Sequence, residues 1–250
     1  FHNGHIYHIN KIKEMFPDET IVLVMSGNFT QRGDVSIIDK WDKTEIALNY
    51  VDLVIELPFV FSTQAADVFA HGAITILKNI GVNKIVFGTE NLDTDSLNKI
   101  ADAQKTTLFQ NKVKKYLSEG INYPTSLSKA VYDITKIKIN SPNDLLGLSY
   151  VKELQNTKIK PITIKRTNDY NSKNLTGDIS SATSIREALK HKRNIKNYVP
   201  EITYNYLQKP LHFNEQYYDL LKYKIISEIN HLDKYLGVDE GLENRIKKYI

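Results

Sequence analysis

Three short apolar runs, Thr20–Met25, Asp52–Leu57 and Lys84–Phe87, alternate with stretches of helical character, and this alternation constrains the fold more than any other feature of the chain. Strands joined through intervening helices pair side by side in one direction, which predicts an α/β architecture on a parallel sheet. Before the first run, His5–Phe16 reads as a helix. Between Gln64 and Asn79, the residues Ala66, Phe69, Ala70, Ala73, Ile74 and Leu77 recur at helical steps, and Gly81 stops the run. From Thr94 to Leu154 the pattern is mostly helical, with breaks expected at Gly120, Pro124 and Pro142, and a strand returns at Ile159–Ile164. Helices then continue almost to Ile250, interrupted near Pro200, Pro210 and Gly237. We expect a sheet domain over residues 1–194 and a mainly helical region over 195–250. Phe1 is expected to follow a strand outside the sequence, and Glu240–Ile250 reads as a helix with no stop signal.

The chain contains no cysteine, so a disulfide framework, a thiolate metal site and a thiol nucleophile are all excluded. Its apolar runs are shorter than the roughly 20 residues that cross a bilayer, and the first residues lack a signal-peptide pattern. These features lead us to expect a cytoplasmic protein with no membrane partner. The net charge of +4 permits an anionic partner such as ATP or nucleic acid.

The densest chemistry lies at His2-Asn3-Gly4-His5, where a strand would give way to the first helix. Gly4 admits a phosphate close to backbone, the helix start offers free N–H donors, and two imidazoles flank the spot. Such a site suits the extra negative charge of a five-coordinate α-phosphate as pyrophosphate leaves. A surface loop with two solvated histidines is the plainer alternative. A second candidate is Asp178-Ile-Ser-Ser-Ala-Thr-Ser-Ile-Arg186, where hydroxyls including Ser181 and Ser184, together with Arg186, precede a helical run and could cradle the β- and γ-phosphates. An ordinary Ser N-cap explains the same residues. Paired, the two motifs match the two-part signature of HxGH nucleotidyltransferases, whose second element reads roughly Ile-Ser-Ser-Thr-x-x-Arg.

Further stretches narrow the family: Met25-Ser-Gly-Asn-Phe-Thr-Gln-Arg-Gly33, Asp52-Leu-Val-Ile-Glu-Leu-Pro-Phe59, Phe87-Gly-Thr-Glu90 and Pro142-Asn-Asp-Leu-Leu-Gly147. With Phe1–His5 and Ser181–Arg186, they resemble the bacterial tRNA(Met) cytidine acetate ligase family over Phe1 to about Leu189. The resemblance implies a Rossmann-like nucleotidyltransferase domain that binds ATP, with Mg²⁺ accompanying the nucleotide, and adenylates acetate. The acetyl group would then pass to N4 of the wobble cytidine of elongator tRNA(Met), giving N4-acetylcytidine. It also implies that Gly88, Asn143 and Arg166 contact ATP. After the family's counterpart of Arg166 a Gly-x-x-Tyr-His-Asp type run is expected; here Thr167–Asn174 keeps Tyr170 and has Asn171 at the His position, so no role of that His carries over.

Read without the family, Ser26–Gly33 leaves a strand at the edge where parallel sheets bind ligands, and Ser26, Asn28 and Arg32 form a candidate substrate loop. Gly88 would end its strand and leave room for an adenine ring, or be a plain turn glycine. Asn143, beside Pro142 at a helix start, is equally explained as an N-cap. Lys190, Lys192, Arg193 and Lys196 could follow tRNA phosphates or form a solvated helix face. The tyrosines from Tyr198 to Tyr223 could stack on unpaired bases, though such spacings more often pack a helical core. His71 has no partner at metal-ligand spacing and is expected to be structural; no protein metal site is expected. Two rival functions remain at this level: a nucleotidyltransferase of cofactor biosynthesis acting on a small molecule, and a nucleotide-responsive RNA-binding protein without turnover.

Overall fold

The computed structural model describes residues 1–166, 180–238 and 240–250. The chain opens on α1 (Asn3–Met15), β1 (Val22–Ser26), α2 (Lys40–Leu48), β2 (Leu53–Leu57), the single turn α3 (Phe59–Ser62), α4 (Ala66–Asn79) and β3 (Lys84–Thr89). Four helices follow, α5 (Thr94–Gln104), α6 (Thr107–Ser118), α7 (Tyr123–Thr135) and α8 (Pro142–Leu154), and then β4 (Lys160–Lys165). Beyond residue 180 come α9 (Ala182–Lys190), α10 (Glu201–Tyr206), α11 (Tyr218–Ser227) and α12 (Leu242–Lys248).

Both strand pairs are parallel, as the alternation predicts. In one, Val22 lies opposite Leu53 and Ser26 opposite Leu57; in the other, Lys84 lies opposite Lys160 and Thr89 opposite Lys165. Val, Ile and Leu supply the branched side chains that fill a half-buried pleated surface. Among the described residues β1 pairs only with β2, and β3 only with β4. A cavity of about 570 Å³ lies between the pairs, lined by Val22 and Val24 on one side and Ile85 and Phe87 on the other.

The main core gathers Phe87 of β3, Leu97 and Ile100 of α5, and Leu148 and Val151 of α8. Close approach of α8 to β3 depends on Gly147, because a Cβ there would sit 2.9 Å from Cε2 of the buried Phe87 ring. A smaller cluster joins Ile185 and Ala188 of α9 to Ile195 and Val199, so α9 packs directly on the start of the helical region. No helix among the described residues is long and apolar enough to cross a membrane.

Helices are interrupted near Gly120, Pro124 and Pro142 as expected, each proline sitting in the first turn of the next helix, α7 and α8, where a missing N–H forfeits no intrahelical bond. Two local expectations need correction. The α1 helix begins at Asn3 rather than His5, because His2 caps it. Gly88 does not follow its strand but lies within β3, opposite Ile164, and a Cβ there would come within 3.2 Å of Cγ of Arg166. These shifts matter for the site, since His2, Gly88 and Asn143 sit at the element ends concerned.

Candidate active site

The site begins with the cap of α1. His2 Nδ1 accepts the Gly4 N–H at 3.1 Å, and His5 Nδ1 accepts the His2 N–H at 3.2 Å, a reciprocal capping box built from two imidazoles. The ring centroids are 3.9 Å apart. Because a backbone N–H can only donate, each Nδ1 is unprotonated, and the hydrogen of each neutral ring is on Nε2. Desolvation lowers the His2 pKa to about 3, assisted by the charges of Arg166 and Arg186. His5 is likewise held well below the ordinary imidazole value, by desolvation first and then by His2. His5 nonetheless keeps an accessible face, because both rings border an open cavity. The pair is therefore two neutral rings, each with an Nε2–H to donate.

That cavity, about 420 Å³, brings the two sequence motifs together: His2 and His5 share it with Arg166, Ser181 and Arg186. Arg166 follows β4 directly, its N–H bonded to Thr89 O at 2.8 Å, so two adjacent strand ends fix its origin. Ser181 caps α9 by accepting the Ser184 N–H at 3.1 Å, and the two hydroxyl oxygens lie 2.6 Å apart. The N-cap reading of this motif thus holds alongside its place in the cavity wall. Ser184 is buried behind Ser181, and Gly4 serves the cap of α1; neither lines the cavity. Asp178 and Ile179 of the same motif, and Tyr170 and Asn171 of the departure from the family pattern, lie outside the described residues.

Of the candidate substrate loop, Arg32 lines the cavity, whereas Ser26 and Asn28 hold the loop in place. Asn28 Oδ1 accepts the Lys40 N–H at 2.9 Å, and Ser26 O accepts from Lys43 Nζ at 2.9 Å, with Gly27 O accepting from the same ammonium. Desolvation lowers the Lys43 pKa to about 8, with the charge of Arg186 adding to the effect. Gly88 and Asn143 do not border the cavity; Gly88 packs against Arg166, which does, and Asn143 bonds Glu90, which does not. Asn143 does not cap α8, since Ser141 does. Its Nδ2 donates instead to Glu90 Oε1 at 2.6 Å. Lys190 also reaches the cavity and pairs with Glu215 at 2.8 Å, while Lys192, Arg193 and Lys196 are exposed. His71 lies away from this wall and pairs with Glu153 at 3.0 Å.

Sequence reasoning missed several members of this wall. His212, Phe213 and Asn214 close the cavity from the helical region: the His212 N–H donates to Ile37 O at 2.8 Å, and Asn214 accepts the Val35 N–H and donates to Asp34. No local pattern announces a contact between positions so far apart. His8 was legible in principle, being three residues past His5 and so on the same face of α1; burial lowers its pKa, and the Val86 backbone bonds its ring. Lys43 carried no signal of its own, and Glu90 and Asp144 stood out only as parts of the Phe87–Glu90 and Pro142–Gly147 stretches; like His8, these three lie outside the cavity lining.

A parallel α/β frame with an imidazole-capped helix start and three arginines around one cavity defines the class, and the chain belongs to the HIGH nucleotidyl transferase family, whose model matches residues 1–250. Within that class, tRNA(Met) cytidine acetate ligases are among its relatives. The protein of that description from Caldicellulosiruptor bescii is 41% identical over 264 residues, covering 100% of this chain and 66% of the relative. That from Mycoplasmopsis pulmonis is 36% identical over 255 residues, covering 100% of this chain and 85% of the relative. Among solved structures, apo Thermotoga maritima TmcAL superposes with a TM-score of 0.90 at 32% identity, covering 98% of this chain and 64% of that one. The same protein bound with alpha-thio ATP gives a TM-score of 0.85 at the same identity, covering 98% and 63%. The chain thus spans just under two thirds of the length of the Caldicellulosiruptor and Thermotoga proteins. The family and the α/β nucleotidyltransferase fold expected from the motifs are the ones found.

Proposed function

We propose that the chain provides the adenylating site of an ATP-dependent acetate–tRNA ligase, with elongator tRNA(Met) as acceptor. The observation that carries this reading is the pair of neutral imidazoles presenting Nε2–H donors to a cavity that also holds Arg166, Arg186 and Ser181. The relatives' shared description and the nucleotide analogue named with the Thermotoga structure support the choice of substrates. In the first step an acetate oxygen attacks the α-phosphorus, the bond to pyrophosphate breaks, and acetyl-adenylate forms. His2 and His5 donate to the oxygens that gain charge, and Arg186 with Ser181 holds the departing pyrophosphate. The remaining residues of the expected ATP set, Gly4, Gly88, Asn143, Arg166 and Ser184, shape or border this site. Mg²⁺ would arrive with the nucleotide, neutralising its phosphates. In the second step the N4 amine of an unstacked cytidine attacks the acetyl carbonyl, the bond to AMP breaks, and N4 loses a proton. We assign the reaction to the cytoplasm.

Acetate-dependent exchange of labelled pyrophosphate into ATP tests the first step, and labelled acetate entering tRNA tests the second. Exchange should require acetate, and His5→Ala should slow it by on the order of 10² to 10³-fold with little loss of ATP affinity, because these donors act where charge develops. Exchange that ignores acetate, or a His5→Ala variant as fast as the parent, overturns the reading.

A further inference from the structure

Where β3 ends and α8 begins, side chains and backbone N–H groups of Glu90, Asn143 and Asp144 are linked by hydrogen bonds. Asp144, fully buried, uses Oδ1 to accept the N–H groups of Glu90 at 3.0 Å and Asn91 at 3.3 Å. Glu90 Oε1 in turn accepts Nδ2 of Asn143, the neighbour of Asp144, at 2.6 Å. The Asp144 N–H is itself held by the capping Ser141 hydroxyl at 3.1 Å. Among the described residues, neither Glu90 Oε2 nor Asp144 Oδ2 has a hydrogen-bond partner, although both are buried. A buried carboxylate oxygen without a partner is costly, so two of them at one strand end call for an explanation.

What they do follows from donor and acceptor chemistry. An ionised carboxylate only accepts, so the Asn143 amide must turn its NH₂ toward Glu90; the reverse orientation would set two acceptors against each other. The Asn143 carbonyl oxygen is thereby committed to the other direction and can receive only a donor. We propose that Glu90, seated by Asp144, is a positioning residue that fixes the Asn143 amide with its oxygen toward the bound nucleotide, and so makes the site select for a nucleotide donor at that point. The inference rests on the proposed function, in which ATP is the ligand and Asn143 one of its contacts. ATP carries two kinds of donor near such a position, the exocyclic amine of adenine and the ribose hydroxyls. An Asn amide reading the adenine amine is a recurrent pairing, and an oxygen in place of that amine meets the Asn oxygen with repulsion.

The test compares ATP with inosine triphosphate, which replaces the amine by an oxygen, and with 2′-deoxy- and 3′-deoxy-ATP, which each lack one hydroxyl. Equilibrium binding and acetate-dependent pyrophosphate exchange are measured for the parent chain and for Glu90→Gln, whose amide accepts either orientation of Asn143. The parent should disfavour one of these analogues by roughly 10- to 100-fold, the effect expected when a buried acceptor loses its donor. In Glu90→Gln that penalty should shrink to within about 3-fold, through KM rather than kcat. A penalty against inosine triphosphate locates the Asn143 oxygen at the base, and one against a deoxy analogue at the ribose; either supports the proposal. Equal penalties in both proteins, or none in the parent, overturn it. Should Glu90→Gln fail to fold, Asn143→Ser makes the same comparison, because it removes the oriented amide and spares the carboxylates. Loss of acetate-dependent exchange with nucleotide binding intact counts against the proposed ligase activity, whereas binding without discrimination counts against the positioning role alone.

Discussion

At the scale of single residues, the site depends on keeping two histidines neutral. Desolvation disfavours the imidazolium, and Arg166 and Arg186 repel it further at His2, so both folded pKa values lie below the free value of about 6.5. The unfolded chain then binds protons that the folded chain refuses. Stability contributed by these rings is present above pH 6.5 and is lost as pH falls from there toward the folded value, about 3 for His2. In a ¹³C-imidazole NMR titration, the His2 and His5 signals should therefore stay at neutral-ring shifts from pH 8 down to pH 5; a midpoint near 6.5 for either would contradict the lowered pKa of that ring. These residues were legible in the sequence because His-x-Gly-His compresses the chemistry into four positions. Glu90 and Asp144 lie within the Phe87–Glu90 and Pro142–Gly147 stretches, but nothing local set either carboxylate apart from a surface acid, because their partners come from across the fold.

Elements were easier to read than their ends. Strand identity followed from branched apolar runs and helix identity from periodicity, but caps decided where helices began, and His2 is an unusual cap. The proline positions marked the breaks correctly, because a proline that follows one element also suits the first turn of the next. Two caps of equal local strength allow structure and chemistry to be separated. Asn122 caps α7 by accepting the Thr125 N–H at 3.0 Å, far from the cavity in role, whereas Ser181 caps α9 and lines it. Replacing either by Ala should cost about 1 kcal/mol of unfolding free energy in denaturant titrations. Only Ser181→Ala should also slow pyrophosphate exchange; an equal effect from Asn122→Ala would mean that exchange merely tracks stability.

At the scale of the whole molecule, the basic stretch after α9 stands beside the cavity. Lys190 is tied to Glu215, while Lys192, Arg193 and Lys196 are exposed. Changing those three together to Ala should weaken tRNA binding and reduce its salt dependence, by a slope of up to about three if each contacts a phosphate. Exchange without tRNA should stay near the parent rate, and an unchanged salt slope would move the RNA surface elsewhere. The sequence suggested this patch but gave no hint of its neighbour, the segment from His212 to Asn214, because hydrogen bonds spanning some 180 positions, such as Asn214 to Val35, leave no local trace. Their consequence concerns how the protein can be taken apart. A fragment ending at residue 194 would retain both histidines and all three arginines and still be a room with one wall removed, open to water on the side that His212, Phe213 and Asn214 close.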